Sequence, residues 1–291
     1  MMRKKPMLAY PVSNKPINYE DKIFMQPKLD GVRCVIQRES DFPGQESLAS
    51  FSVKAYSRTG KEWKNIDHIL FNLRQFFFFN PDVVLDGELY NHDLRDDFNK
   101  IISLVRKQKP TDQDRLDAEK MIQFNCYDII DESLTFEERN TFIRDNVPRN
   151  HCVFHVNTVY AYDDKHAKAN HKVNLENGYE GSILRTNDKY ACKRSHNLRK
   201  FKDFHDAEAT IVGYLDGKGK RTGTIGKFIM QDDEGNKFGC PPGKGYNYKD
   251  LAVMLNDIHK YIGQRATFTY FERTKANSYR HPLFKALRNY E

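Results

Sequence analysis

The apolar residues of this chain fall into short runs with two different periods. Val32, Cys34, Val35 and Ile36 read as a buried strand directly after Lys28-Leu29-Asp30-Gly31, so the Lys28 ammonium should project from a strand end. Ile66, Ile69, Leu70 and Leu73 recur at helical spacing ahead of Phe76-Phe77-Phe78-Phe79. Asn80-Pro81 should stop that helix before a strand at Val83-Val84-Leu85. The phenylalanine run is expected in the core. Phe98, Ile101, Ile102 and Val105 mark another amphipathic helix, closed by Lys109-Pro110, and the polar stretch from Thr111 to Asp117 reads as an exposed loop. Thr135 with Glu138 forms a capping box for a helix to about Asn146, and Asp163 or Asp164 opens one that Gly178 stops.

After Lys202 the texture changes. Ala209 to Tyr214 reads as a strand, and Thr224 to Met230 and Lys237 to Cys240 flank a turn over residues 232–236. Leu251, Met254, Leu255, Ile258 and Ile262 predict one helix ending at Gly263, followed by a closing strand from Ala266 to Phe271. Short strands around a single helix suit an OB-type barrel. The boundary is placed near Asp203 to Asp206, dividing the chain into residues 1–204 and 205–291.

At 291 residues the chain has room for two domains with their own cores. Lys plus Arg exceed Asp plus Glu by seven, and a pI near 9.0 favours a polyanionic partner. Five cysteines, far apart and without a Cys-x-x-Cys pair, argue for a reducing compartment and against structural zinc. His151, Cys152 and His155 sit in an alternating run, Cys152 to Tyr160, with no further partner at metal-ligand spacing. Arg3, Lys4 and Lys5 precede no apolar stretch of signal length, and no segment approaches a membrane span, so a soluble intracellular protein is expected.

Six segments carry candidate chemistry, in order Lys28-Leu29-Asp30-Gly31-Val32-Arg33, Ser57-Arg58-Thr59-Gly60, Leu85-Asp86-Gly87-Glu88-Leu89, Cys126-Tyr127-Asp128-Ile129, Tyr179-Glu180-Gly181-Ser182 and Arg199-Lys200-Phe201-Lys202. Read singly, each has a plain alternative. An acidic residue beside glycine can be a turn, an arginine a surface ion pair, Tyr127 a core residue, and Lys200-Phe201-Lys202 a solvated edge. Taken in order and at this spacing, the set resembles the nucleotidyltransferase motifs of ATP-dependent DNA ligases, which mRNA capping enzymes and RNA ligases share. The resemblance runs from Lys5-Pro6-Met7-Leu8-Ala9 to Ser278-Tyr279-Arg280-His281-Pro282-Leu283-Phe284.

The resemblance implies an α+β nucleotidyltransferase domain of ATP-grasp-like type, two antiparallel sheets with helices, followed by an OB-fold β-barrel domain. It implies Lys28 as the nucleophile that takes AMP from ATP. An ordinary lysine is almost wholly protonated at neutral pH, so nearby positive charge from Lys200, Lys202, Arg33 or a bound divalent metal would have to favour the neutral amine. Lys200 and Lys202, two apart on a strand, should face one side with Phe201 on the other. Glu88 and Glu180, each read as lying at a strand end, could bind Mg²⁺ or Mn²⁺. By resemblance Glu88 also contacts the ribose, Tyr127 stacks on the purine, Gln26 lies beside the adenine edge, and Arg33, Arg58 and Arg194 serve the nucleotide. Asp30 would orient the nucleophile or the DNA 3′-hydroxyl, while Asp86 is read as architectural.

Arg33, Arg58 and Arg280, with the loop Lys218-Gly219-Lys220-Arg221, are expected on DNA backbone, although that loop could equally be a solubilising turn. Leu198 stands where many relatives carry tryptophan, and the Arg-x-Asp-Lys ending of larger ligases is not found. The reading is a minimal ligase acting as a monomer on nicked double-stranded DNA, in the cytoplasm and away from membranes. An RNA ligase or a guanylyltransferase would use the same domain. A non-catalytic single-strand-binding OB protein would not account for Lys28 with two carboxylates.

Overall fold

The computed structural model describes residues 4–40, 51–243, 245–274 and 277–288, so Arg3 of the basic N-terminal triplet lies outside the described residues. The chain divides into two compact units, Met1–Lys202 and Asp203–Glu291.

The first unit holds two five-stranded sheets. One runs in the order β1 (Leu8–Pro11), β10 (Arg194–Phe201), β9 (Ser182–Thr186), β2 (Ile23–Pro27) and β8 (Val159–Ala161). The other runs β4 (Phe51–Tyr56), β3 (Val32–Ser40), β5 (Val84–Tyr90), β6 (Gln123–Ile129) and β7 (Val153–His155). The sheets are not wholly antiparallel: β1 joins β10, and β7 joins β6, in parallel. The strand opened by Val32 extends through Ser40, as alternation carries it past the apolar run.

Among the described residues this unit also has six α-helices: α1 (Asp67–Asn72), α2 (Arg74–Phe79), α3 (Phe98–Val105), α4 (Asp112–Met121), α5 (Phe136–Asn146) and α6 (Asp164–Glu176). The helix expected from Ile66 to Phe79 is two short ones meeting at Leu73. Only part of the phenylalanine run is core, since Phe76 and Phe77 are buried while Phe79 is 69% exposed. Four consecutive residues sweep most of the way round a helix, so they cannot share one buried face.

The polar stretch read as a loop is largely α4. The Thr111 side chain accepts from the Asp114 amide and the Asp114 carboxylate accepts from the Thr111 amide, a capping box with Asp in the place usually held by Glu or Gln. Asn65 Nδ2 donates to Asp114 O at 3.1 Å and Lys107 pairs with the Asp114 carboxylate at 3.1 Å. Contacts from other elements thus stabilise a helix in which Ala118 is the buried residue. By contrast α5 begins after Thr135, whose capping box with Glu138 is present as expected, and α6 after Asp163, whose side chain caps the His166 amide.

The second unit is a sheet in the order β13 (Lys237–Cys240), β12 (Ile225–Gln231), β11 (His205–Asp216), β14 (Arg265–Tyr270) and β17 (Leu283–Leu287). Its two edges meet, because Phe284 N donates to Pro241 O at 2.8 Å and Gly243 N to Phe284 O at 2.9 Å. That closure makes the sheet a barrel. A small hairpin, β15 (Glu272–Arg273) with β16 (Tyr279–Arg280), and the helix α7 (Tyr248–Asn256) accompany it. The helix expected to reach Gly263 stops at Asn256, where Asp257 leaves helical geometry, and a 3-10 turn, Ile258–Lys260, follows with Ile262 in the turn beyond it.

Candidate active site

Lys28 follows the last residue of β2, and two backbone hydrogen bonds bind it to the segment before β9. Lys28 N donates to Gly181 O at 2.9 Å and Glu180 N to Lys28 O at 3.1 Å. Gly181 has φ +146°, and a Cβ there would fall 2.3 Å from Phe201 O. Only glycine lets the Glu180 segment lie this close to the end of β10. The result is charge convergence: the Glu180 carboxylate, almost wholly buried, pairs through one oxygen with Lys28 Nζ and through the other with Lys202 Nζ. Phe201 between the two lysines turns away and stacks on His171, ring centroids 3.9 Å apart and 7° from parallel.

Gly31 performs the same service on the other side. A Cβ on Gly31 would stand 2.4 Å from Leu89 O and 2.8 Å from Glu88 Cγ. The loop carrying Lys28 therefore packs directly on β5, which brings Glu88 beside it. Glu88 lies within β5, not at its end, opposite Arg33 on β3. Burial pushes its carboxyl up to about 7, against the lowering pull of Arg33 and Lys28. Tyr127 Oη donates to Glu88 Oε2 at 3.3 Å.

These side chains line a cavity of about 290 Å³. Gln26, Lys28, Arg33, Arg58, Glu88, Tyr127, Arg194 and Lys200 all reach it, together with Ile183, Leu198 and Arg185. Glu180 and Lys202 adjoin it through Lys28. The lining carries six basic side chains, Lys28, Arg33, Arg58, Arg185, Arg194 and Lys200, against one carboxylate. Such a surface suits a polyphosphate attached to a flat ring system. Ile183 and Leu198, with Tyr127, supply the apolar part.

Several of these residues are more tightly engaged than their sequence shows. Arg33 forks onto Asp86, Nε to Oδ1 at 2.6 Å and NH2 to Oδ2 at 2.5 Å, and also donates to Met7 O at 3.2 Å. Burial disfavours the Arg33 charge, but Asp86 outweighs that and holds the guanidinium above the usual arginine value. Asp86 is fully buried and also takes a hydrogen bond from Tyr190 Oη at 2.7 Å. Gln26 donates through Nε2 to Tyr127 O at 3.1 Å and to Thr158 Oγ1 at 2.9 Å, and accepts from Arg185 Nε at 2.8 Å. Its amide thus holds the strand of Tyr127. Arg194 donates to Ala9 O, and Arg58 is exposed in the turn after β4. Asp30 sits in the loop between β2 and β3, outside the cavity lining.

A divalent ion fits Glu88 better than Glu180. The Glu88 carboxylate has the Tyr127 hydroxyl as a donor and the Arg33 and Lys28 charges near it, whereas both Glu180 oxygens already meet ammonium groups. Among the described residues no group of three or more His, Cys, Asp or Glu side chains converges as a metal centre. His155 Nε2 is engaged with Val147 O at 3.0 Å.

In the barrel unit, Lys218, Lys220 and Arg221 stand on the loop between β11 and β12, whose residues Gly219–Arg221 form a 3-10 turn. They are exposed or nearly so. Arg280, on β16, pairs with Glu272 at 2.5 Å. Arg185 has no place among the residues singled out in the sequence. Its signal was available as a basic residue in the otherwise apolar strand Ser182-Ile183-Leu184-Arg185, a position that requires a buried partner.

A strand-end lysine beside a buried carboxylate, in a cationic cavity between two sheets and ahead of a small barrel, defines a nucleotidyltransferase fold joined to an OB-like domain. The chain belongs to the ATP-dependent DNA ligase family, whose model, described as "ATP dependent DNA ligase domain", matches residues 6–202. A second model, "DNA ligase OB-like domain", matches residues 216–288. The DNA ligase of African swine fever virus (isolate Pig/Kenya/KEN-50/1950) is 27% identical over 252 residues, 82% of this chain and 56% of that protein. The chain thus spans about half the length of the curated relatives it matches. A solved structure described under DNA binding with a minimal scaffold in Lig E DNA ligases has a TM-score of 0.75 at 21% identity, covering 99% of this chain and 100% of its own. The ATP-dependent DNA ligase from bacteriophage T7 in complex with ATP has a TM-score of 0.51 at 16% identity, covering 98% of each chain. These likenesses establish the shared fold. No helix among the described residues is long and apolar enough to cross a membrane.

Proposed function

We propose that this chain is an ATP-dependent DNA ligase that seals 3′-hydroxyl/5′-phosphate nicks in duplex DNA through a lysyl-AMP and a DNA-adenylate. The observation that carries this reading is the sharing of one buried carboxylate, Glu180, by Lys28 and Lys202 at a cavity lined by Tyr127, Glu88 and Lys200. Lys28 Nζ attacks the α-phosphate of ATP and expels pyrophosphate. For this it must give up a proton, and Glu180, already in contact, is the acceptor at hand. Lys200, Lys202 and Arg58 offset the charge on the phosphates, and Tyr127 stacks on the base. The adenylate then passes to the 5′-phosphate of the nick. The 3′-hydroxyl, oriented by Asp30, displaces AMP. Glu88 would hold Mg²⁺, which supplies charge compensation to the leaving group. The barrel loop with Lys218, Lys220 and Arg221, together with Arg280, meets DNA phosphates.

The test pairs labelled ATP or GTP with a labelled nicked duplex. Wild type should form a covalent adduct with ATP that is stable to alkali and labile to acid, as a phosphoramidate is, and should seal the nick, while Lys28→Ala should form none, a loss of at least about a thousandfold. Lys28→Ala should still join a pre-adenylated nick. A GMP adduct without an AMP adduct would turn the reading toward a capping enzyme, and sealing of an ordinary nick by Lys28→Ala would remove Lys28 as nucleophile.

A further inference from the structure

We propose that Arg185 is a positioning residue for nucleotide binding: its guanidinium ties the two walls of the cavity together and holds Tyr127 in place to receive the base. This rests on the adenylating role given to the cavity above.

Arg185 lies on β9, in the sheet that carries Lys28, and is 3% exposed. It reaches across to the other sheet, where NH1 donates to Asp128 Oδ2 on β6 at 2.6 Å. Within its own sheet, Nε donates to Gln26 Oε1 at 2.8 Å, and Gln26 in turn donates to the Tyr127 carbonyl at 3.1 Å. The guanidinium carbon lies 5.4 Å from the centre of the Tyr127 ring, within cation–π range. Arg185 thus meets the tyrosine through its ring, through its neighbour Asp128, and through its backbone by way of Gln26. Asp128 is itself fully buried and held by Arg139, Nε to Oδ1 at 2.7 Å.

Geometry explains why arginine is required. One planar group must place two donors on acceptors in different sheets while presenting a face to a ring, and an ammonium cannot do all three. The charge count adds a second effect. Arg139 and Arg185 share one carboxylate, Asp128, so this buried cluster keeps a net positive charge beside the cavity. A nucleotide's negative charge is favoured there. The nucleophile stands on one wall and the stacking ring on the other, so the bridge between them governs how well ATP is held more than how fast the amine attacks.

The experiment measures ATP binding by calorimetry in a Lys28→Ala background, where no adduct forms, and the KM for ATP and kcat of adenylation in the Lys28 protein. Both are done with Arg185→Lys and Arg185→Met, alongside thermal unfolding. Arg185→Met should weaken ATP binding and raise KM about tenfold or more, with kcat within about threefold of wild type. Arg185→Lys keeps the charge but loses the fork, and should recover only part of the affinity. Unchanged ATP affinity in both variants would overturn the proposal. So would a lowered melting temperature with reduced kcat but unchanged KM, the signature of a purely structural role. If wild type binds ATP yet forms no adduct, the ligase reading fails while the calorimetry still decides the part played by Arg185.

Discussion

The two units of this chain solve the problem of a stable interior in different ways. The barrel is held by an apolar cluster that includes Ile211, Phe228, Phe268 and Phe284, and its basic residues Lys218, Lys220 and Arg221 sit on a loop. The first unit also has a large apolar core, but between its sheets it buries Asp86, Asp128, Arg139 and Arg185. Burying charge costs free energy that apolar packing does not, and an interior designed for stability alone does better without it. Buried charge is concentrated beside the cavity, whereas the barrel buries one charged side chain among those described, Asp232, paired with Arg273, and carries Thr224 as its other buried polar residue.

That contrast is most sharply tested at Asp128. Asp128→Ala leaves two buried guanidiniums without their carboxylate and should cost about 3–5 kcal/mol, read from denaturant unfolding. A loss below about 1 kcal/mol would mean the cluster is solvated and the contrast is wrong.

Next comes pH. The Glu88 carboxyl is pushed from 4.5 up to about 7, so the folded state keeps a proton that the unfolded chain has already lost. Its contribution is fully present below pH 4.5 and falls away as pH rises to about 7, by at most about 3 kcal/mol because the cavity admits water. Wild type minus Glu88→Gln stability, followed from pH 4.5 to 8, should decline over that window, and a flat difference would show Glu88 to be ordinarily solvated. In the barrel, Phe268→Leu should cost about 1.5 kcal/mol with no pH dependence in the same range. The smallest effect on stability belongs to the loop. Lys218→Ala, Lys220→Ala and Arg221→Ala together should change unfolding by little more than about 0.5 kcal/mol. The same triple change should reduce the salt slope of nicked-duplex binding by about 2 to 3, and an unchanged slope would take the loop off the DNA.

Local signals were legible where a single residue type answers a local need. The Thr135–Glu138 box, the Asp163 cap and the turn over residues 232–236 concern neighbours in sequence, and the elements they bound appear with nearly those limits. Where stabilisation comes from elsewhere, the reading failed. The α4 helix depends on Asn65 and Lys107 as well as its own cap, and the exposure of Phe79 depends on which face of a short helix meets the core. The parallel pairing of β1 with β10 joins segments nearly two hundred residues apart, which no local period encodes.

The sequence by itself determined the candidate groups and most element types, since motif spacing and hydrophobic period are properties of order along the chain. Tertiary structure alone decided that Glu180 is shared by Lys28 and Lys202, that Arg33 is committed to Asp86, and that Arg185 bridges the cavity walls. Each of those contacts joins groups far apart in sequence. Their energies depend on burial and on which oxygen faces which nitrogen, and those quantities exist only once the sheets have packed.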